Sequence, residues 1–376
     1  NDESYLMSFE LPPYPYDLLI PYRNLAEGHE GGVVDLSVGT PCDPPPKEVI
    51  SALSESDSER GYPKSVGSEE YLLACSYWLK RRFAVDVSLN KELASCIGTK
   101  EFVVSAPRDL RLLRPDKDTV LYPAISYPSY AMGAQLAGCR AIPIPVDEHF
   151  RMDLKQIKDS DAERALMIWV NSPSNPTGVL EDLKTAARWG RDRNIPVFSD
   201  ECYAEFTWAG QPRTILQEGL EGVIAVHSLS KRSNLAGLRA GFYAGDENII
   251  HWLREIRKHA GKMVPGPVQA GAAKAFSNDN HVDVQRSLYI ERLSFLKNCF
   301  QELEFSVVSP EGAFYLWIDT KQRSCWDVVD FLATEIGLLV TPGIFFGESC
   351  ENFVRVAAVQ EMHKLSLLKQ RISRLN

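Results

Sequence analysis

The sequence lacks the residue spacings that mark metal sites and disulfide-stabilised domains. None of its eight cysteines belongs to a Cys-x-x-Cys pair, and its seven histidines form neither a His-x-His nor a His-Glu-x-x-His pattern. A metal site is therefore not expected. In a chain of 376 residues, scattered cysteines are typical of reduced, mostly buried thiols. We accordingly predict a cytoplasmic protein.

The sequence also lacks a membrane span and an excess of basic residues. The longest uncharged stretch of interest, residues 120–139, contains Pro123, Pro128 and several polar residues, so we interpret it as a loop that leads into a helix. The first ten residues are acidic and include no apolar segment of a secretory signal. Because the net charge is -9, neither nucleic acid nor an anionic membrane is expected as a partner.

The composition and length are those of a globular protein with more than one domain. Hydrophobic residues make up 44% of the chain and charged residues 24%, which is ordinary for a soluble globular protein. At about 150 residues per domain, the length predicts two domains.

Short apolar runs alternate with helical patterns through the middle of the chain. The runs at residues 119–122, 165–170, 195–198 and 222–226 are predicted strands, and residues 181–194 are a predicted helix. Apolar and polar residues do not alternate within these runs. The pattern therefore predicts an α/β fold with a mostly parallel sheet that helices cover on both faces.

The ends of the chain have a different character. Residues 65–83 show helical spacing, and a long helix is predicted over residues 282–303. Strands near residues 304–308 and 314–318 follow, and then an amphipathic helix with Leu365, Leu368, Ile372 and Leu375 on one face. We predict a large domain over residues 39–265 and a smaller α+β domain from residues 1–38 and 266–376.

Polar side chains follow three of the predicted strands. Asn175 comes in a turn after the second, Asp200 and Tyr203 follow the third, and Lys231 follows the fourth. Each has an ordinary structural explanation when taken alone: Asn175 as a turn residue, Asp200 as a helix cap and Lys231 as a solvated side chain. Because ligands bind outside the carboxyl ends of parallel strands, their joint placement favours a shared site.

These residue types suit pyridoxal phosphate. A lysine amine forms a Schiff base with the aldehyde of this cofactor, and a carboxylate pairs with its pyridine nitrogen. Asn175 and Tyr203 would hydrogen-bond the phenolate oxygen of the ring. The turn at residues 98–101, GTKE, opens a predicted helix, so its free backbone N–H groups suit a phosphate. The remaining phosphate contacts would come from Ser228, Ser230 and Arg239.

Motifs along nearly the whole chain resemble those of the fold-type I, class I/II aminotransferases. They are VGTP at residues 38–41, GTKE at 98–101, YPSY at 127–130, NPTG at 175–178, DECY at 200–203, SLSKRSNLAGLRAGF at 228–242 and FVRVA at 353–357. NPTG followed by SLSK with an arginine eight residues after the lysine is specific to this family. Within it, SLSKRSN together with GTKEFV resembles the N-succinyldiaminopimelate aminotransferases, especially the actinobacterial type.

The resemblance implies a role for each matching residue. Lys231 would carry pyridoxal phosphate, Asp200 would face the pyridine nitrogen and Tyr127 would stack on the ring. The phosphate would be held by Thr99, Lys100, Ser228, Ser230 and Arg239, with Thr99 and Lys100 acting mainly through backbone amides. Arg355 would bind the substrate α-carboxylate, and Gly39 would leave room beside it. Tyr62 would reach the phosphate of the partner subunit, because the family places its site at a homodimer interface.

The resemblance implies transfer of an amino group between glutamate and N-succinyl-2-amino-6-oxopimelate, on the route to diaminopimelate and lysine. Alternatives are an aminotransferase for aspartate, alanine or an aromatic amino acid, and a cystathionine-type β-lyase. A regulator with an aminotransferase-like sensor domain would need a DNA-binding domain ahead of residue 38, which about forty Pro- and Gly-rich residues are not expected to hold. No motif assigns the residues that contact the far end of the substrate, although Arg232, Tyr22 and Arg23 are candidates.

Overall fold

The computed structural model describes residue 12 and residues 14–375. Its strands are β1 (Val34–Asp35), β2 (Leu93–Cys96), β3 (Thr119–Pro123), β4 (Arg140–Ile144), β5 (Ala165–Asn171), β6 (Val197–Asp200), β7 (Val223–Ser228), β8 (Gly241–Gly245), β9 (Tyr315–Asp319), β10 (Leu338–Leu339), β11 (Thr341–Pro342) and β12 (Phe353–Ala357). Its α-helices are α1 (Ile20–Glu27), α2 (Lys47–Ser54), α3 (Glu69–Phe83), α4 (Thr99–Arg111), α5 (Ser129–Leu136), α6 (Asp159–Glu163), α7 (Leu183–Arg193), α8 (Leu229–Arg232), α9 (Glu247–His259), α10 (Gly266–Phe276), α11 (Asn280–Glu302), α12 (Cys325–Ile336) and α13 (Met362–Ile372).

The central sheet has seven strands in the order β2-β8-β7-β6-β5-β3-β4. β8 runs antiparallel to both of its neighbours, and the remaining neighbours in the sheet are parallel. Every residue of β5, β6 and β7 is buried, which explains why their sequences are continuous apolar runs. The mostly parallel sheet predicted from those runs is confirmed.

Two hydrophobic clusters cover the two faces of this sheet. Successive side chains of a strand point to opposite faces, and neighbouring residues of the central strands divide between the clusters accordingly. One cluster takes Leu121, Ile168 and Val197; the other takes Val120, Met167 and Phe198. The first cluster also contains residues of α3, and the second contains residues of α4. Helices therefore cover both faces, as the sequence predicts.

Local capping sets the ends of the helices that flank the sheet. The Ser68 side chain accepts a hydrogen bond from the Tyr71 N–H at the start of α3, and Asp182 does the same for Thr185 at the start of α7. Ala84 and Asn194 end these helices in the left-handed conformation. The predicted helices over residues 65–83 and 181–194 are thus present but start later, because each begins at its capping residue.

The C-terminal part contains a second sheet, in which β11, β12 and β9 are antiparallel. β1, from the N-terminal segment, pairs in parallel with β10 and so joins this part. Leu365, Leu368 and Ile372 of α13 are buried in its core, whereas Leu375 lies beyond the helix and is exposed.

The strand predicted near residues 304–308 is wrong. Glu304 adopts a positive φ of 63° and turns the chain at the end of α11. The N–H of Phe305 then bonds back to the Phe300 carbonyl, and Phe305 and Val307 bury their side chains without joining a sheet. The alternating burial of this loop imitates the period of a strand.

Candidate active site

A cavity opens at the carboxyl ends of β5, β6 and β7. In the sheet register, Asn171 at the end of β5 pairs with Asp200 at the end of β6, and β7 leads directly into α8, which carries Lys231. The lining residues are Tyr14, Tyr16, Val38, Gly39, Thr99, Lys100, Val103, Tyr127, Tyr130, Asn171, Asn175, Asp200, Cys202, Tyr203, Lys231, Tyr315 and Arg355. The structure therefore brings Gly39, Thr99, Lys100, Tyr127, Asn175, Asp200, Tyr203, Lys231 and Arg355 together, as the motifs predict.

Lys231 extends from the short helix α8 into this cavity. The Ser228 hydroxyl oxygen caps α8 by accepting a hydrogen bond from the Ser230 N–H at 3.0 Å, and the Lys231 ammonium donates to the Gly39 carbonyl. Burial, assisted by the positive charges of Arg355 and Arg239, lowers the pKa of Lys231 to about 8. About a tenth of this amine is therefore neutral and nucleophilic at pH 7, far more than of an ordinary lysine.

The Asp200 carboxylate is buried and surrounded by donors. Tyr130 donates its hydroxyl to Oδ2 at 2.9 Å, and the Cys202 thiol and backbone N–H donate to Oδ1 at 2.7 and 3.2 Å. Burial raises the pKa of Asp200, although these hydrogen bonds favour the anion and oppose the rise. The site thus contains a buried carboxylate whose hydrogen bonds favour the anion, which suits a cationic partner.

Arg355 and Asn175 meet across the cavity wall. Arg355, on β12, is 1% exposed; its Nη1 donates to Asn175 Oδ1 at 2.7 Å and its Nη2 to the Ser37 carbonyl at 2.6 Å. The guanidinium lies 4.4 Å from the Tyr315 ring centroid and 4.7 Å from that of Phe346. Its Nε has no hydrogen-bond partner among the described residues, so a planar cation with an unused donor lines the cavity.

Tyr203 and Gly39 are linked through a residue that the motifs do not mark, Tyr315. The Tyr203 and Tyr315 hydroxyls are hydrogen-bonded at 2.7 Å. A Cβ atom on Gly39 would overlap the Tyr315 hydroxyl, so glycine is required for this close approach. Burial raises the pKa of Tyr315 to about 12 and that of Tyr203 well above its ordinary value. Both phenols are therefore protonated at physiological pH, and one of them donates to the other.

A cradle for an anion lies at the start of α4. No side chain caps this helix, so its first N–H groups are free of a capping side chain and its dipole favours negative charge. Gly98 has a φ of 74°, and a Cβ atom there would overlap the Arg239 guanidinium, which places this cation beside the helix start. Ser228 and Ser230, with hydroxyl oxygens 2.9 Å apart, lie next to Arg239, whose Nη1 is 3.5 Å from Ser230 Oγ.

These residues fit pyridoxal phosphate. The amine of Lys231 with its lowered pKa suits the aldehyde, the donor-lined Asp200 suits the pyridine nitrogen, and the uncapped helix start with Arg239 suits the phosphate. No cluster of candidate metal ligands occurs within the described ranges. In the same part of the chain, no helix has the length and apolarity needed to cross a bilayer.

Lys100 and three tyrosines surround the mouth of the cavity. The Lys100 ammonium lies 5.5 Å from the Tyr14 ring centroid and 5.7 Å from that of Tyr127. Tyr14 and Tyr16 have ring centroids 5.7 Å apart, and Arg355 Nη2 donates to the Tyr16 hydroxyl at 3.2 Å. A continuous aromatic wall thus connects the Arg355 guanidinium with the Lys100 ammonium.

Several candidate residues lie away from the cavity. Arg232 is 2% exposed and pairs with Glu205 and Asp279 at 3.4 and 2.5 Å, so it has a structural role. Tyr22 stacks on Trp326 and Arg23 pairs with Asp35. Tyr62 is 97% exposed and outside the cavity of its own chain.

Sequence reasoning missed Tyr130, Cys202, Tyr315 and Tyr16. Tyr130 and Cys202 stand inside YPSY and DECY, so the motifs contain them without showing that both contact Asp200. Tyr315 and Tyr16 come from segments without a motif. Only the tertiary packing of β9 and of the N-terminal segment brings these two to the cavity.

Comparison with known proteins agrees with this geometry. A family model described as aminotransferase class I and II matches residues 31–369. The chain is 37% identical over 372 residues to 4-dedimethylamino-4-oxo-anhydrotetracycline transaminase OxyQ of Streptomyces rimosus, covering 97% of this chain and 99% of that protein. It is 33% identical to LL-diaminopimelate aminotransferase of Aquifex aeolicus, covering 97% of each. The solved structure of a probable N-succinyldiaminopimelate aminotransferase from Thermus thermophilus superposes with a TM-score of 0.87 at 26% identity, covering 96% of this chain and 100% of that one.

Proposed function

Because this chain belongs to the class I and II aminotransferases, which depend on pyridoxal phosphate, we propose that it transfers an amino group from glutamate to N-succinyl-2-amino-6-oxopimelate. This reaction belongs to diaminopimelate and lysine biosynthesis. Pyridoxal phosphate, when bound, carries the amino group covalently and accepts the electron pair released when the Cα–H bond breaks.

The positions of the cavity residues support the following roles. Lys231 attaches the cofactor, Asp200 pairs with the pyridine nitrogen, and Asn175 and Tyr203 hydrogen-bond the phenolate oxygen. Tyr127 covers the ring. The backbone amides of Thr99 and Lys100 hold the phosphate together with Ser228, Ser230 and Arg239.

Lys231 also moves the proton. With its pKa lowered to about 8, the Nζ amine is a base whose strength suits neutral pH, and it accepts the proton from the substrate Cα. The Arg355 guanidinium fixes the α-carboxylate and so orients that Cα–H bond. Since donor and acceptor both present an α-carboxylate to Arg355, the same residues serve both half-reactions, and the kinetics are ping-pong.

The observation that carries the choice of substrate is the position of Lys100. No carboxylate partner of its ammonium is found in the described part of the chain, and two tyrosine rings separate it from Arg355. A substrate with a second anionic group, well beyond its α-carboxylate, would fit both cations. The succinyl carboxylate is such a group.

Three further points support this substrate. The other residues considered for contacting the far end of the substrate each contact another part of the protein instead. They are Arg232, Tyr22 and Arg23. In addition, similar proteins bear the names LL-diaminopimelate aminotransferase and probable N-succinyldiaminopimelate aminotransferase. An acylated distal amine also avoids placing an unpaired cation beside Lys100.

A second candidate substrate is a keto compound with fused rings. It is favoured by the aromatic wall of Tyr14, Tyr16 and Tyr127 and by the 37% identity to a transaminase named for an anhydrotetracycline. Such a substrate would stack on the tyrosines and leave Lys100 without an anion.

We also propose a cytoplasmic homodimer in which Tyr62 reaches the phosphate site of the partner subunit. The 97% exposure of Tyr62 supports this, because a tyrosine so open on one chain is available to another. We propose in addition that residues 39–265 form a large domain and that residues 1–38 and 266–376 together form a small one.

The test compares amino donors and acceptors by the rate at which each converts the bound cofactor between its pyridoxal and pyridoxamine forms. The succinylated substrate should have a kcat/KM far above that of aspartate, alanine or free diaminopimelate. Lys100→Met keeps the backbone amide at the phosphate but removes the side-chain cation, so it should lower kcat/KM for the succinylated substrate by roughly tenfold or more while sparing alanine.

Lys91→Met is the matched control, because Lys91 pairs with Glu247 on the surface and should leave both activities unchanged. Equal activity with aspartate or free diaminopimelate would contradict the proposed substrate. A preference for fused-ring acceptors that survives Lys100→Met would favour the second candidate.

A further inference from the structure

Cys202 occupies an unusual place in the site. It is the third residue of DECY, its thiol lines the cavity, and it is only partly buried. The proposed mechanism gives it no role. Its sulfur nevertheless lies 2.7 Å from Asp200 Oδ1 and 3.2 Å from Thr99 Oγ1.

The direction of these two hydrogen bonds follows from the chemistry of Asp200. An ionised carboxylate only accepts hydrogen bonds, so the thiol proton points at Oδ1. The sulfur then has only lone pairs left for Thr99, and the Thr99 hydroxyl is the donor. Burial and the adjacent carboxylate raise the pKa of the Cys202 thiol well above its ordinary value, so the proton stays on sulfur.

The resulting chain of contacts joins two parts of the cofactor site. Thr99 is the first residue of α4, where the phosphate is proposed to bind, and Asp200 is the carboxylate that would pair with the pyridine nitrogen. Tyr130, from α5, holds the other oxygen of Asp200 at 2.9 Å. The carboxylate is thus fixed on both oxygens by side chains from separate elements.

We infer that Cys202 is a positioning residue: its thiol donates to Asp200, keeps that carboxylate ionised and oriented, and links it to Thr99 at the start of α4. The inference rests on the pyridoxal phosphate part of the proposed function. It does not depend on which keto acid is the substrate.

The role predicts a distinctive response to substitution. Cys202→Ala removes the side-chain donor, which favours the protonated form of a buried carboxyl, so the acid limb of the kcat profile should move to higher pH by about one unit. The rate at optimal pH should fall by roughly tenfold, with KM changed much less. Cys202→Ser supplies a hydroxyl donor, so it should restore most of the rate and return the acid limb of the kcat profile close to its original pH.

The state of Asp200 can also be measured without cofactor or turnover. An infrared pH titration of the apoprotein, taken as a difference against Asp200→Asn, reports protonation of this carboxyl. Cys202→Ala should raise its midpoint by about one unit, and Cys202→Ser should stay within a few tenths of the wild type. Cys139→Ala is the control, since the Cys139 thiol contacts Arg111 and does not line the cavity.

The outcomes separate the inference from the proposed function. Unchanged infrared midpoint and pH profile in Cys202→Ala would overturn the positioning role while leaving the aminotransferase intact. Equal damage in Cys202→Ser and Cys202→Ala would also overturn it, because volume rather than hydrogen bonding would then matter. Failure of the wild-type chain to bind pyridoxal phosphate would refute the proposed function, and the apoprotein titration would still decide the role of Cys202.

Discussion

Arg355 donates a hydrogen bond to Asn175 at 2.7 Å, although 180 residues separate the two in sequence. The contact joins the β12 strand of the C-terminal part to the NPTG turn that follows β5. It also occupies one edge of the guanidinium while Nε stays without a partner among the described residues. The cation proposed to bind the α-carboxylate is therefore held in place before a substrate arrives.

Replacement of Arg355 by lysine should impair both half-reactions. Lysine keeps the positive charge but loses the planar fork that binds a carboxylate through two parallel bonds and also reaches Asn175. We expect kcat/KM to fall by about 100-fold for the amino donor and for the keto acceptor alike. Single-turnover kinetics of each half-reaction measure this, and a defect limited to one substrate would place Arg355 at a side-chain pocket.

Lys231→Ala should separate cofactor binding from cofactor attachment. The proposed phosphate site at α4 and Arg239 does not use the Lys231 side chain, so the variant should still retain pyridoxal phosphate, but with essentially no turnover. Borohydride reduction followed by peptide mass mapping checks the linkage. Reductive fixation of the cofactor in the variant would identify another lysine as the attachment site.

The lowered pKa of Lys231 predicts how attachment depends on pH. Only the neutral amine attacks an aldehyde, and the pKa is about 8, so the rate of cofactor capture by the apoprotein should rise through pH 8 and level off above it. An ordinary lysine would show the rise near pH ~10.4. Stopped-flow absorbance gives the midpoint, and a value above about 10 would show that the site does not lower this pKa.

Asp200→Ala should slow the chemical step rather than abolish binding. The loss of a charge-assisted hydrogen bond at the pyridine nitrogen should lower the rate of Cα deprotonation by roughly 100-fold or more. A kinetic isotope effect with Cα-deuterated donor would show that this step limits the variant. A near-normal rate would mean that another group holds the ring nitrogen.

Gly39→Ala should disturb the site through Tyr315. The new methyl group would overlap the Tyr315 hydroxyl, which in turn is bonded to Tyr203, so turnover should fall by about tenfold or more while the fold persists. Gly237→Ala is the control, because nothing lies within 4 Å of a Cβ atom there. Equal activity of Gly39→Ala and Gly237→Ala would show that the Tyr315 side chain can move aside without a loss of turnover.

The sequence predicts those parts of the site that come from strand ends. Asn175, Asp200 and Lys231 follow continuous apolar runs, and the rule that parallel strands present their carboxyl ends at one edge was enough to bring them together. Their chemical roles stay predictions. The family resemblance added Arg355 and Gly39 from outside the central sheet.

The remaining features depend on contacts that no local pattern records. Tyr315 lies on β9, which pairs with β12, and approaches Gly39 of a distant segment. The structural role of Arg232 requires Glu205 and Asp279 from other elements. The loop at residues 304–308 has the burial pattern of a strand but no strand beside it. Periodicity shows which side chains are buried, whereas pairing is decided by the rest of the fold.

The antiparallel direction of β8 affects the order in which the residues of the site are synthesised. Because β8 is antiparallel to β2 and β7, Arg239 lies at the same edge of the sheet as Thr99 and Ser228. These three residues, which are proposed to bind the phosphate, have all been synthesised once the chain reaches Gly245. Arg355 emerges more than a hundred residues later, on the penultimate element of the chain. A nascent chain therefore contains every residue proposed to bind the cofactor well before it contains the residue proposed to bind the substrate α-carboxylate.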